Sequence, residues 1–289
     1  MQPLLDRNEL LVAPGVIDPL TARLVERLGF GAVYLGGHSI GVHLGRGQPM
    51  TTMSEAIEIA SRVVAAVEVP VILDGGAGFG DPVHVARLVR ECERVGVAAV
   101  HLEDQPYPKR PGYHRGRGEL AGVEVTVAKL ETAVGTRRGA EPLVIARTDA
   151  LRVTGSLEET IERCGAFAAA GAEALLVLDL EPQALEAIRD RLPDLPLAWI
   201  GAVDGPGPTL AEISAAGFSL ALYPFNTVAA IIDAVSATWT ALREHGRLDQ
   251  TSEMLAEARA QALELAGIVE LWEIEERSAR AEGGDRGER

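Results

Sequence analysis

The stretch VPVILDGGAGFGDPVHVARLVRECERVGVAAVHLED, residues 69–104, holds one complete strand–helix–strand unit. Its two apolar runs carry no formal charge until their C-terminal ends, at Asp74 and at Glu103-Asp104. Strands buried on both faces of a parallel sheet read this way, whereas half-exposed strands alternate apolar and polar residues. Between the runs, Asp81-Pro82 signals a helix start, apolar residues recur with helical period to Val95, and Gly96 closes the element.

The same unit recurs along the chain. Apolar runs stand at LLVAP (10–14), AVYLGG (32–37), PLVIARTD (142–149), ALLVLD (174–179), PLAWIG (196–201) and LALYP (220–224). Helical periodicity fills Pro19–Leu28, Ser54–Val67, Val123–Val134, Ser156–Ala170, Gln183–Leu192, Thr209–Ala216 and Asn226–Arg243. Asp18-Pro19 and Ser156 with Glu159 mark further helix starts, and Gly29, Gly171 and Gly217 mark further stops. Eight strand–helix units specify a (β/α)8 TIM barrel rather than an open doubly wound sheet. Beyond the eighth unit, Ser252–Ala266 and Ile268–Arg277 read as two more helices, carrying Leu255, Leu271 and Trp272. A closed barrel has no need of them, so they are expected to pack against another subunit. The expected organisation is a barrel over 1–246, a helical extension for oligomerisation over 247–278 and a flexible tail over 279–289.

The 289 residues include 42 acidic and 27 basic side chains, a formal charge of −15. That balance argues against nucleic acid and against an anionic membrane surface as partners. Twenty uncharged residues, Ile213–Ile232, are broken by Gly217, Pro224 and Asn226 and do not read as a membrane span. The opening MQPLLDRNEL has charges where a secretory apolar segment would stand, so no signal peptide is expected. Cys92 and Cys164 fall in helical patterns without metal-ligand spacing and read as buried thiols of a reducing, cytoplasmic compartment.

In a (β/α)8 barrel, active sites lie at the C-terminal ends of the strands. Those ends supply Tyr34, Gly36, Gly37, His38, Asp74, Glu103, Asp104, Arg147, Asp149, Asp179 and Tyr223. Carboxylates at Asp74 and Glu103 beside Arg147 are costly to bury without partners. They suit a divalent cation held by oxygens, with Arg147 gripping a substrate carboxylate. A structural salt-bridge cluster around Arg147 is the alternative. The segment QPYPKRPGYHRGRGEL (105–120) is long for its place and carries Lys109, Arg110, Arg115 and Arg117 with Tyr113 and His114. Such a cationic loop over an acidic barrel mouth would capture a polycarboxylate and close over it; a solvated surface loop is the other reading.

These segments, together with PGVIDPLTARLVERLGFGAVYLGG (14–37), TTMSEA (51–56), HLEDQPYPKR (101–110) and VIARTDA (144–150), resemble the isocitrate lyase/phosphoenolpyruvate mutase superfamily, nearest its 2-methylisocitrate lyase branch. The resemblance covers almost the whole chain. It implies Mg2+, with Mn2+ as substitute, at Asp74 and Glu103, and a substrate carboxylate at Arg147. It also implies substrate contacts at Tyr34, Gly36, Gly37, His38, Arg110 and Asp179, and a homodimer or homotetramer that exchanges C-terminal helices. The chain departs from the family pattern at Gly36 for a serine, at Gly47 and Gly76 for aspartates, and in the loop. There Lys109-Arg110-Pro111-Gly112-Tyr113-His114 lacks the proton-donating cysteine. Lys109, Tyr113, His114 and Arg147 are therefore the expected catalytic residues, with Tyr113 or His114 moving the proton. The three glycines suggest a weaker metal site and a roomier cavity.

The expected function is a metal-dependent carbon–carbon lyase, or a decarboxylase, acting through an enolate on a small 2-hydroxy or 2-oxo di- or tricarboxylate of the 2-methylisocitrate or 2-alkylmalate kind. The alternatives are phosphonate or phosphoenolpyruvate chemistry, for which GAVDGPGPT (201–209) could serve as a phosphate loop, and a barrel that has lost its chemistry and only binds.

Overall fold

Eight short strands form one parallel sheet in the computed structural model: β1 (Leu11–Pro14), β2 (Val33–Leu35), β3 (Val71–Asp74), β4 (Ala99–Glu103), β5 (Leu143–Thr148), β6 (Ala174–Val177), β7 (Leu197–Ile200) and β8 (Leu220–Tyr223). The structure describes residues 5, 9–116, 118–201 and 207–284; the side chain of His114 and most of the glycine-rich run 201–209 fall outside it. From β2 to β8 each strand pairs with the next in sequence, and β1 pairs with β8. The remaining gap, between β1 and β2, is bridged at Gly15 and Tyr34, with the Val16 amide donating to the Tyr34 carbonyl at 2.8 Å. This is the expected (β/α)8 barrel.

Strand side chains alternate between two cores. Residues facing the helices, such as Val33, Leu35, Leu73, Val100, Leu102 and Val144, join Leu88, Phe167 and Ile213 in the shell. Residues facing the barrel axis, including Ala13, Ile72, Ala99, Ile145, Leu176 and Leu222, fill its interior. The same alternation carries Ile72 to Asp74 on β3, Ala99 through His101 to Glu103 on β4, and Ile145 to Arg147 on β5. Apolar side chains thus plug the lower barrel and charged ones emerge at its C-terminal mouth.

The helix signals operate as expected. Asp18 accepts from the Thr21 amide at 2.8 Å, Ser156 accepts from the Glu159 amide at 3.2 Å, and Pro82 opens the helix Pro82–Val95. Gly29, Gly96, Gly171 and Gly217 stand at φ between +86° and +94° or nearby at +85°, the left-handed region open to glycine. The pattern Gln183–Leu192 is not one helix: an α-helix covers Pro182–Glu186 and a 3-10 turn Arg189–Arg191. Four short elements carry no clear periodic signal: the helices Gly37–His43 and Ala150–Thr154 and the 3-10 helices Gln48–Met50 and, inside the long loop, Pro111–Arg115.

Contacts divide the chain into two units, Met1–Ala229 and Ala230–Arg289, so the division falls inside the helix Asn226–His245, ahead of residue 246. The second unit continues with helices Ser252–Leu265 and Ile268–Gly284, the last running past Arg277 into residues expected to fray. Ser252–Leu265 buries no residue within the chain, and Met254, Leu255, Leu271, Trp272 and Ile274 are exposed. Among the described residues no helix is long and apolar enough to cross a membrane.

Candidate active site

Strand register places the charged groups side by side. Asp74 is opposite His101 across β3 and β4, and Glu103 is opposite Arg147 across β4 and β5. All four are buried. Asp74 Oδ1 accepts from the Gly76 amide at 2.8 Å and Oδ2 from the Gly37 amide at 2.9 Å, so the helix Gly37–His43 begins against this carboxylate. Burial alone would raise the Asp74 pKa, but the charges around it, with the Gly76 hydrogen bond, hold it at about 2. Asp74 is therefore a buried, fully ionised carboxylate.

His101 Nε2 lies 2.8 Å from the Tyr34 hydroxyl, and Nδ1 lies 3.7 Å from Asp74 Oδ1. Burial lowers the His101 pKa to about 4, so the ring is neutral at pH 7 and its approach to Asp74 is not an ion pair. Burial, then the Asp74 charge, raises the Tyr34 pKa well above the ordinary phenol value. Tyr34 keeps its proton and shares the 2.8 Å hydrogen bond with Nε2, while Nδ1 faces Asp74 without a hydrogen bond.

Glu103 Oε1 accepts from Lys109 Nζ at 2.9 Å, and Oε2 lies 3.3 Å from Arg147 Nη1 without a hydrogen bond. Arg147 donates from Nε to Asp149 Oδ1 at 2.7 Å and from Nη2 to the Tyr113 hydroxyl at 2.9 Å. Gln105 in turn hydrogen-bonds Asp149. Burial opposes the charge on Arg147, yet Asp149 and Glu103 keep it protonated. Burial also raises Glu103, against the pull of Lys109 and Arg147. Tyr113 accepts a second hydrogen bond, 3.2 Å from Arg152 Nη1, and Lys109 Nζ sits 4.6 Å from its ring centroid. The long loop therefore folds onto the barrel mouth instead of standing in solvent.

The geometry sorts the expected residues. Asp74, Gly37, Gly76 and Lys109 line one cavity. Glu103, Arg147 and Tyr113 are joined to it through Lys109. Arg110 is not brought in: it is 72% exposed and lies 3.7 Å from Glu119. Asp179 reaches the cluster only through Arg152, with contacts of 2.5 and 2.6 Å. His38 stacks on Phe225 with centroids 5.3 Å apart. Gly36 adds no room, because a Cβ there would meet the Tyr34 ring at 3.2 Å and Pro224 at 3.4 Å. Gly76 does leave space, since a Cβ would find only Glu103 Oε1, at 4.0 Å. His114 as a proton carrier lies outside the described side chains.

Sequence reading missed His101, Gln48 and Arg152. His101 was within reach, because it stands two residues before Glu103 and so shares its inward face. Gln48, 3.5 Å from Asp74 Oδ2, follows from a loop fold that no periodicity encodes.

Among the described residues no three His, Cys, Asp or Glu side chains form a metal cluster. The donors present nevertheless fit Mg2+, which keeps several waters and takes one or two carboxylates. Asp74 is ionised, a Glu103 oxygen has no hydrogen bond, and the carboxylates of Asp74, Glu103 and Asp149 outnumber the cations Lys109 and Arg147.

A parallel barrel with ionised carboxylates, a lysine and an arginine buried at the C-terminal ends of its strands defines a barrel enzyme built for carboxylate chemistry. The chain belongs to the isocitrate lyase/phosphoenolpyruvate mutase superfamily: the family model described as phosphoenolpyruvate phosphomutase matches residues 1–243. It is 39% identical over 250 residues to 2,3-dimethylmalate lyase of Eubacterium barkeri, covering 84% of this chain and 85% of that protein. Among solved structures, oxaloacetate acetylhydrolase with 3,3-difluorooxalacetate superposes with a TM-score of 0.86 at 30% identity, over 96% of this chain and 95% of the other. Phosphonopyruvate hydrolase in complex with oxalate and Mg2+ superposes with a TM-score of 0.83 at 26% identity, over 95% and 96%.

Proposed function

We propose that the chain is a divalent-metal-dependent carbon–carbon lyase for a small 2-hydroxy di- or tricarboxylate of the 2-alkylmalate or 2-methylisocitrate class. The observation that carries this reading is that Asp74 and Lys109 line one cavity while Lys109 and Arg147 flank the buried Glu103 carboxylate, at 2.9 and 3.3 Å. Asp74 and Glu103 would hold Mg2+, or Mn2+ in its place. When bound, the cation supplies Lewis-acid polarisation of substrate hydroxyl and carboxylate oxygens and offsets the buried negative charge.

The chain's own residues do the rest. Arg147, held through Nε and Nη2 by Asp149 and Tyr113, would turn Nη1, which makes no hydrogen bond to Glu103, to a substrate carboxylate. The C2 hydroxyl proton passes to the Glu103 carboxylate, which burial makes more basic and whose Oε2 has no hydrogen bond, and the C2–C3 bond breaks, which gives a 2-oxo acid. The electron pair passes to C3 as an enolate conjugated with the neighbouring carboxylate, and a proton must then reach C3. Tyr113 suits that delivery, because burial raises its pKa and keeps it protonated while both guanidiniums point at its oxygen. Gly37 acts on the carboxylate ligand and not on substrate, since its amide is taken by Asp74. Decarboxylation of a 2-oxo acid would draw on the same enolate stabilisation.

The exposed apolar side chains of the C-terminal unit support its role as an oligomerisation extension, exchanged between subunits of a homodimer or homotetramer. Burial pushes both thiols, Cys92 and Cys164, up to about 12 and leaves them unpaired, which supports a reducing, cytoplasmic setting.

The test is release of a 2-oxo acid from 2-methylmalate, 2,3-dimethylmalate or 2-methylisocitrate with Mg2+, followed with a coupled dehydrogenase. EDTA should abolish it. No oxo acid from any of them, or rates indifferent to EDTA, would refute the reading. Phosphate release from phosphonopyruvate, seen by phosphorus NMR, would assign phosphonate chemistry instead.

A further inference from the structure

Arg147 and Arg152 stand on either side of the turn that joins β5 to the helix Ala150–Thr154, and both donate to one phenol. Arg147 Nη2 lies 2.9 Å and Arg152 Nη1 3.2 Å from the Tyr113 hydroxyl oxygen. Arg147 is buried and held by Asp149, whereas Arg152 is partly exposed and spends its other nitrogens on Asp179, Nε on Oδ2 at 2.6 Å and Nη2 on Oδ1 at 2.5 Å. Asp179 lies on the turn after β6 at φ +63°, a left-handed conformation that only glycine adopts freely. A part-exposed ion pair adds little to stability, so the pair alone does not repay that backbone. What the turn achieves is a fork: two nitrogens of Arg152 are fixed on a carboxylate, and Nη1 remains for Tyr113. The loop that carries Tyr113 also returns against the same helix, because a Cβ on Gly118 would meet Val153 Cγ2 at 2.6 Å and only glycine fits there. Neither Arg152 nor Asp179 lines the cavity of Asp74 and Lys109.

We propose that Arg152, anchored by Asp179, is a positioning residue for the proton donor: with Arg147 it fixes the Tyr113 oxygen between two guanidiniums and stabilises the phenolate that forms as the proton leaves. The inference rests on the lyase reading, which makes Tyr113 the donor to C3. In that step the Tyr113 O–H bond breaks, its electron pair stays on the phenol oxygen and a C3–H bond forms, while the proton gained by Glu103 balances the one given up. Negative charge therefore appears on the Tyr113 oxygen only as the proton moves, and a hydrogen bond to it from a fixed cation strengthens at that moment. Arg147 is shared with Asp149 and with the substrate carboxylate. Arg152 acts on Tyr113 and on nothing that reacts.

Two readouts separate this coupling from the lyase reading. In the full chain grown with 3-fluorotyrosine, whose phenol is more acidic, fluorine NMR follows the ionisation of each tyrosine, and Tyr113→Phe assigns the Tyr113 resonance. Arg152→Gln should raise the Tyr113 pKa by about 1 unit, the low end of what a neighbouring opposite charge does, because the ion pair is partly exposed. The other charges that bear on Tyr113, Arg147 and Lys109 favouring ionisation and Asp149 and Glu103 opposing it, stay in place in that variant. Arg152→Lys, which keeps the charge but not the fork, should fall between the two. In turnover of whichever alkylmalate or methylisocitrate is cleaved, Arg152→Gln should lower kcat about three- to tenfold, the Brønsted share of that shift, with KM within about twofold. In a Tyr113→Phe background the same substitution should cost nothing further. An unmoved Tyr113 titration, or a kcat loss as large in Tyr113→Phe as in the parent, would overturn the proposal. A shifted titration in a protein that cleaves none of the substrates would support the coupling of Arg152 to Tyr113 and defeat the lyase reading instead.

Discussion

Replacing Asp74 by asparagine keeps the shape of the side chain and removes its charge. Its pKa is held at about 2 against an ordinary 3.8, and at neutral pH, where His101 is uncharged, Lys109 and Arg147 are the charges that favour its carboxylate. The asparagine amide would also set an N–H donor against either the Gly37 or the Gly76 amide, whichever way it turns, because each carboxylate oxygen accepts from one of them. A buried donor left without an acceptor costs about 1–3 kcal/mol. A loss of about 2 kcal/mol, at about 2–4 °C per kcal/mol for chains of this size, lowers Tm by about 4–8 °C. The assay is thermal unfolding at pH 7 in EDTA, which removes any contribution from metal binding. A variant that melts within about 2 °C of the parent would show that the carboxylate does not stand on those two amides.

Three further outcomes follow from the same geometry. Tyr113→Phe should reduce kcat about 10²–10⁴-fold, the range for loss of a proton-transfer group, with Tm nearly unchanged; full activity would remove Tyr113 from the chemistry. His101 has a folded-state pKa of about 4 against 6.5 unfolded, so the unfolded chain takes up the proton first and stability falls as pH drops from 6.5 towards 4. Integrated over that window the loss is about 3 kcal/mol, and urea midpoints at pH 7, 5.5 and 4.5 should show it; a flat profile would contradict the buried neutral ring. Gly37→Ala would place a Cβ 2.8 Å from Asp74 Oδ2 and 2.5 Å from Gln48 Nε2, so Mn2+ affinity by paramagnetic resonance should fall at least about tenfold, and wild-type affinity would mean that the carboxylate can move freely.

The barrel was legible because its signals are local and repeated. Uncharged runs ending in acids, Asp-Pro helix starts and glycine stops each act over a few residues, and eight copies leave few alternatives. The convergence of Asp74, Glu103 and Arg147 followed from the rule that strand ends share one mouth. Other features depend on contacts distant in sequence. Gly36 reads as space until the Tyr34 ring and Pro224 are seen beside it. Arg110 reads as a substrate cation like Lys109, yet one residue's difference turns it towards Glu119. The Gln183–Leu192 pattern breaks where Ile188 takes φ −125°, a backbone preference its apolar spacing does not carry. The unpaired Thr51 hydroxyl is invisible in sequence, because an empty hydrogen-bond position is a property of packing alone.

The most direct measurement is a crystal structure of the full chain with Mn2+ and oxalate, using the anomalous signal of the metal. The expected result is one ion at the mouth of the barrel, with an oxygen of Asp74 within about 2.0–2.3 Å, Glu103 bound directly or through water, and oxalate between the metal and Arg147. An ion bound elsewhere, or oxalate held without contact to Arg147, would contradict the site described for this chain.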